Sequence, residues 1–455
     1  METPPRAPAP HPALHPAPTD SAWQVFLTFL QLGLTAFGGP VAHLGHFRQA
    51  LVVQRRWMDD RQYADLVALC QFLPGPASSQ VGMALGLWRA GRLGALAAWA
   101  GFTLPSALLL IGLAWGLGQW AHALHPTLLQ GALHGLKLAA AAVVTQALWG
   151  MARTLCPDTP RRLCMAVIAV LAWAWPQPGM QVGLMAAAGV AWALWAPTPA
   201  APHTGTASPP MRWPLSRREG ALWLGALAAL LLGLPAAMAL WPGMALAVAD
   251  AFVRTGALVF GGGHVVLPLL QAEVVPNGWV SDSVFMAGYG AAQAVPGPLF
   301  TFAAYLGAAL APVASNLDPA PAWLSTLAAL GWGLLALVAV FTPAWMLLAG
   351  SLPFWEQWKS TLLARKAIFG INSAVVGLLA AAWVDPVLSS ALHSVGDGVL
   401  VIALLGLLQG GPTRGRAGTS VEPSAGPVWR AWPAWAVVGL ACVLGSVLGA
   451  LPGML

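Results

Sequence analysis

Charge is what this chain has least of. Of its 455 residues only 8% are Asp, Glu, Lys or Arg, against about 25% in an average soluble domain, and that shortage excludes a soluble globular protein. Cysteine is scarce as well. Cys70, Cys156, Cys164 and Cys442 are scattered without metal-ligand spacing, so no disulfide framework, zinc site or iron-sulfur cluster is expected. The sequence has no Walker loop, dinucleotide-binding glycine fingerprint or catalytic triad, which argues against an ATP-driven pump on this chain alone and gives no reason to expect an enzyme, a cofactor or a metal.

Apolar sequence takes the place of charge. Hydrophobic residues make up 58% of the chain, and runs such as 93–118 reach the roughly 20 residues needed to cross a bilayer. The lipid bilayer is therefore one expected partner. The net charge of +6 invites a nucleic-acid reading, but the arginines gather in a few short loops, as the positive-inside rule expects of cytoplasmic loops, and no nucleic acid is expected.

The organising feature is a phrase spoken twice, Gln71-Phe72-Leu73-Pro74-Gly75-Pro76 and Gln293-Ala294-Val295-Pro296-Gly297-Pro298. Pro-Gly-Pro removes two amide donors and loosens the backbone between them, so a helix must stop and restart there. Around it, Phe37-Gly38-Gly39-Pro40 returns as Phe260-Gly261-Gly262-Gly263, Trp57 as Trp279 and Asp60 as Asp282, at an offset of 221 to 223 residues. This is a duplication. Its loop charges are opposite: 54–61 carries three arginines where 276–282 has no Lys or Arg, and 119–130 has none where 359–366 is basic. The repeats are therefore expected to have inverted topology.

The expected layout is a disordered tail over 1–20, a first repeat over 21–196, a cytoplasmic linker over 197–220, an inverting transmembrane helix over 221–241 and a second repeat over 242–455. The N-terminus is expected in the cytoplasm and the C-terminus outside. The expected fold is an all-α polytopic membrane protein with re-entrant hairpins at the Gly-Gly-Pro/Gly-Gly-Gly and Pro-Gly-Pro breaks.

A helix that begins at a re-entrant tip presents free amides and partial positive charge, the general means of binding an anion. Ser78, Ser79 and Thr301 stand just after the two Pro-Gly-Pro breaks, Gln71 and Gln293 one turn before them, and His43 and His264 just beyond the glycine breaks. All seven are candidate substrate-binding residues, although such side chains also serve simply as helix caps. Charges in apolar segments are costly and default to function. Among Arg48, Asp65, Lys137, Asp250, Arg254 and Glu273, Lys137 and Arg254 are candidate anion partners, and Asp65 and Glu273 candidate carriers of a coupling proton.

With Phe102-Thr103-Leu104-Pro105-Ser106, Gly86 and Gly307 added to these motifs, the sequence resembles the chromate ion transporter family in its long-chain form of two homologous halves. The resemblance covers most of 25–150 and 245–383. It implies a bacterial-type inner-membrane protein that exports chromate by alternating access and confers resistance, with sulfate as competitor or counter-ion. A sulfate or other small-anion carrier is the nearest alternative, a non-transporting anion sensor the alternative of another class, and a homodimer is left open. The second half answers Phe-Thr-Leu-Pro-Ser with Phe341-Thr342-Pro343-Ala344, one residue short, which leaves the equivalence of the halves open at that point.

Overall fold

The computed structural model describes residues 20–37, 39–120, 126–175, 177–195, 213–260, 266–310, 321–358, 361–409 and 432–450. The tail through residue 19, most of the linker, the three glycines of the second glycine break and His264 lie outside the described residues. Among the described residues the secondary structure is helical throughout. Five helices among the described residues are long and apolar enough to cross a membrane, so the chain is an all-α, multi-pass membrane protein.

Local chemistry sets the helix boundaries. Ser21 caps α1 (Ala22–Thr35) in a capping box with Gln24, and the chain breaks after Ala36 before α2 (Gly39–Phe47), which continues as a wider π-helical turn over Arg48–Gln54. Asp59 and Gln62 form the box that opens α3 (Asp60–Phe72). Pro-Gly-Pro ends α3, and α4 (Ala77–Trp120) begins directly after it. α4 is two pieces. Non-helical angles at Ala90 and Gly91 fold it back on itself, and a Cβ at Gly86 would overlap the backbone of Gly94. The piece from Ala77 to this turn is roughly 20 Å long at 1.5 Å per residue, about two-thirds of a bilayer core.

Then come α5 (Pro126–Leu155), α6 (Thr159–Ala174), α7 (Pro178–Trp195) and α8 (Arg217–Leu240). α8 exposes Leu222, Leu232 and Leu240 and packs mainly by one side, as a lipid-facing connector would. The second half repeats the pattern as α9 (Met244–Leu258), α10 (Val266–Val274), α11 (Asp282–Ala294), a 3-10 turn at Leu299–Thr301 leading into α12 (Phe302–Ala309), α13 (Ala322–Ser351), α14 (Leu362–Ala382), α15 (Val395–Gln409) and α16 (Ala434–Ala450). α15 starts at Val395. Ser394 Oγ accepts from the Asp397 N–H and the Asp397 carboxylate accepts from the Ser394 N–H, a closed cap that fixes the start there.

The halves exchange partners. α5 packs on α15 and α16 of the second half, while its counterpart α14 packs on α6 and α7 of the first. Glycine makes both contacts close: a Cβ at Gly135 would overlap the Ala441 carbonyl, and one at Gly370 the Ala188 carbonyl. Small residues at such crossings let backbones approach where apolar lipid offers no hydrophobic drive. Gly135→Val is expected to cost about 1–3 kcal/mol through overpacking, read as a lower unfolding midpoint of the purified protein in detergent. Gly225→Val, at a position with open space around it, should leave the midpoint unchanged.

The arginine loops also come together. The Arg89 guanidinium lies 5.1 Å from the Trp57 ring centroid and pairs with Asp20 at 2.8 Å, while Arg92 pairs with Glu219 at the head of α8. The loop before α3, the turn inside α4 and the start of α8 therefore share one end of the molecule.

Candidate functional site

The two Pro-Gly-Pro tips cross between the halves. The Gly75 N–H donates to the Val259 carbonyl at 2.6 Å, and the Gly297 N–H donates to the Ala36 carbonyl at 2.9 Å. Val259 and Ala36 are the residues just before the two Phe-Gly-Gly breaks. Each repeat thus hooks its Pro-Gly-Pro tip onto the first break of the other. Gly75 has φ +119° and Gly297 φ +106°, in the region that side-chain-bearing residues rarely enter. The same symmetry decides the open equivalence: a Cβ on Gly75 would meet Ala344 and one on Gly297 would meet Ser106, so Phe-Thr-Leu-Pro-Ser and Phe-Thr-Pro-Ala occupy matching places.

At the first tip the lining is polar. Ser78, Ser79 and Gln80 form the first turn of α4, and all three are buried. The first amides of a helix have no intrahelical acceptor, so this turn offers donors as well as side chains. His43 Nδ1 lies 3.5 Å from Ser78 Oγ, and its ring stands edge-on to Phe102. Gln80 Nε2 donates to the Pro74 carbonyl at 2.9 Å and to the Ala344 carbonyl at 3.3 Å, tying the tip to the other half. Four buried atoms here have no partner in the protein: His43 Nε2, Ser79 Oγ, Gln80 Oε1 and Thr103 Oγ1. Each such group costs about 1–3 kcal/mol if left alone; two of the four, Ser79 and Gln80, stand in the first turn of α4, and His43 packs on Phe102, the neighbour of Thr103.

At the second tip the lining changes. Thr301 is buried, and both its N–H and its hydroxyl donate to the Pro298 carbonyl, at 3.0 and 2.8 Å, which closes the turn. Phe300 and Phe302 stand where Ser78 and Gln80 stand in the first half. The polar contribution comes from Gln293, whose side chain also reaches the buried Tyr289 hydroxyl. It faces a cavity of about 220 Å³ shared with Gly39, Gln146, Gly297 and Leu299, many times the ~10–15 Å³ that admits one water. Two helix starts, at Gly39 and Leu299, thus border one polar cavity at the repeat interface.

The remaining sequence candidates lie elsewhere. Gln71 and Asp65 are exposed on α3. Arg254 holds Asp250 and Glu273 at 3.0 Å each and lines a separate cavity of about 510 Å³ with Gln177 and Thr255. Both acids of this cluster are largely buried. In the register that pairs Ala36 with Val259 and Trp57 with Trp279, the matching positions of the first half are Leu27, Gln31 and Leu51, so the repeat fold does not require the charges. Lys137 borders a third cleft. Sequence reading passed over Gln80, Thr103 and Gln146. Their signal was available: an uncharged polar side chain within apolar sequence carries the same cost argument as a charge, in weaker form.

Known proteins bear on these features. A family profile described as chromate transporter matches residues 23–193 and 246–450, one segment for each half. A chromate transport protein of Pseudomonas aeruginosa is 30% identical over 379 residues, covering 80% of both chains. Its namesake in Cupriavidus metallidurans is 25% identical over 392 residues, covering 81% of this chain and 84% of that one. A probable chromate transport protein of Synechococcus elongatus is 25% identical over 372 residues, at 81% and 85% coverage. No solved structure matches the chain.

Proposed function

The chain belongs to the chromate transporter family, and from that premise we propose that it carries a tetrahedral oxyanion dianion, chromate with sulfate as competitor, outward across the plasma membrane. The observation that carries this reading is the reciprocal hooking of Gly75 on Val259 and Gly297 on Ala36. It supports one central site, bordered by helix starts from both repeats. A dianion leaving water loses a large hydration energy, and clustered amide donors with the positive ends of helices offset that loss without burying a full cation. Ser79, Thr103, His43 and Gln293 supply side-chain donors, and Ser78 orients His43. Such donors read charge and tetrahedral shape, so sulfate competes.

In this reading α3 with the first piece of α4, and α11 with α12, are re-entrant hairpins that enter from opposite faces. The nearness of the arginine loops before and after the first hairpin supports its entering and leaving at one face. With the positive-inside rule this puts the N-terminus in the cytoplasm and the C-terminus outside. Because each tip is bonded to the opposite repeat's break, rocking one repeat against the other opens the site to alternate faces. Coupling falls to Glu273: two carboxylates around one guanidinium leave an excess negative charge that a proton neutralises.

In proteoliposomes, Ser79→Ala and Gln293→Leu are each expected to lower chromate flux about tenfold or more, since hydrogen bonds to a charged group contribute about 1.5–3 kcal/mol. Wild-type flux from both variants, with equal protein in the vesicles, contradicts the site.

A further inference from the structure

The third cleft, between α5, the start of α11 and the segment that leads into α15, has a volume of about 410 Å³ and is bordered by Gln130, His134, Lys137, Ser283, His393 and Asp397. It brings one lysine and two histidines together with a single lining carboxylate, Asp397. Asp397 has both oxygens engaged: Oδ1 pairs with His134 Nε2 at 2.7 Å, and Oδ2 accepts from the N–H groups of His393 and Ser394 at 2.9 and 2.8 Å. It is only 9% exposed, so its role is to fix His134 and the head of α15, not to occupy Lys137. Asp282, whose charge interacts with Lys137 and with Asp385, receives Gln271 Nε2 at 2.9 Å. Lys137 makes no ion pair among the described residues. The His393 ring, with its centroid 5.7 Å from that of His134, is exposed.

The cleft is joined to the central cavity by two shared helices. Lys137 and Gln146, nine residues apart on α5, border the cleft and the cavity respectively, as do Ser283 and Gln293, ten residues apart on α11. At 1.5 Å per residue both separations are about 13–15 Å. α5 and α11 pack directly on each other, with Gly290 against the Leu136 carbonyl beside Lys137. We propose that this cleft is a second, peripheral binding site for the same oxyanion, a port in which Lys137, His134 and His393 collect the anion at one end of the α5–α11 pair before it reaches the tips or after it leaves them. The role as a port rests on the transport reading; the binding itself does not.

Two measurements on the full chain test it, with chromate as the probe. In vesicles of neutral lipid, Lys137→Gln is expected to raise the KM for chromate about tenfold and to change the maximal rate much less, since a port acts on capture rather than turnover. His393→Gln, an exposed position with little bearing on folding, should raise KM about threefold by the same logic. An unchanged KM in both variants overturns the proposal, as does a lost maximal rate at unchanged KM. In equilibrium dialysis of detergent-purified protein, the wild type should hold two chromates per chain and Lys137→Gln one. Two against one with no vesicle flux at all retains the site and refutes transport. A KM difference that appears only when anionic lipid is added assigns the cleft to a lipid phosphate, and the proposal fails.

Discussion

Gly75→Ala and Gly297→Ala are each expected to abolish most chromate flux while leaving the chain inserted in the membrane. Both glycines sit at positive φ, +119° and +106°, where a side chain costs about 1–3 kcal/mol in backbone strain. The added Cβ also meets a neighbour, Ala344 at 3.0 Å for Gly75 and Ser106 at 2.8 Å for Gly297. Relief requires the tip to back away, and backing away breaks the bond to Val259 or Ala36. A state of the transport cycle raised by about 2 kcal/mol is depopulated about 30-fold. The control is Gly91→Ala, which also sits at positive φ but has open space around it; it should strain the turn inside α4 and leave the tips engaged. Flux from Gly75→Ala equal to that from the control would show that the crossing does not matter to transport.

Arg254→Met is the substitution expected to harm stability most. It removes the guanidinium that Asp250 and Glu273 share, and stripping a partner from largely buried charges costs about 3–5 kcal/mol. The protein should unfold well below the wild type in a detergent melt. Adding Asp250→Asn and Glu273→Gln should restore much of the loss, because the first half builds the matching positions from Leu27, Gln31 and Leu51 without charge. Glu273→Gln alone should fold and should transport at a rate that no longer follows an imposed pH gradient. A retained response to the gradient would remove Glu273 from coupling. Failure of the triple variant to recover would show that the cluster is structural after all.

The architecture was legible in the sequence because its causes are local. Pro-Gly-Pro and Gly-Gly-Pro end helices wherever they occur, and the boxes Ser21–Gln24, Asp59–Gln62 and Ser216–Glu219 open them. The offset of the motifs gave the duplication without any spatial knowledge. Which tip meets which break was not legible, since Gly75 and Val259 are brought together only by the packing of one repeat on the other. The contrast between the tips lay in plain view, with Ser78 and Gln80 answered by Phe300 and Phe302, but its meaning depends on their sharing one interface. The charges were ambiguous for a physical reason. Arg254 and Lys137 read alike as buried cations in apolar sequence, yet one is held between two acids and the other borders an open cleft, and only side-chain positions separate the cases.

The central claim is that one oxyanion site is bordered by both tips. Its most direct test is chromate flux into proteoliposomes from the wild type, Ser79→Ala, Gln293→Leu and the double variant, with sulfate as competitor. A single shared site predicts saturable wild-type flux that sulfate inhibits competitively, a loss in each single variant, and a non-additive loss in the double, because both side chains face the same anion. Additive losses with two saturation phases, or flux indifferent to both residues, would contradict it.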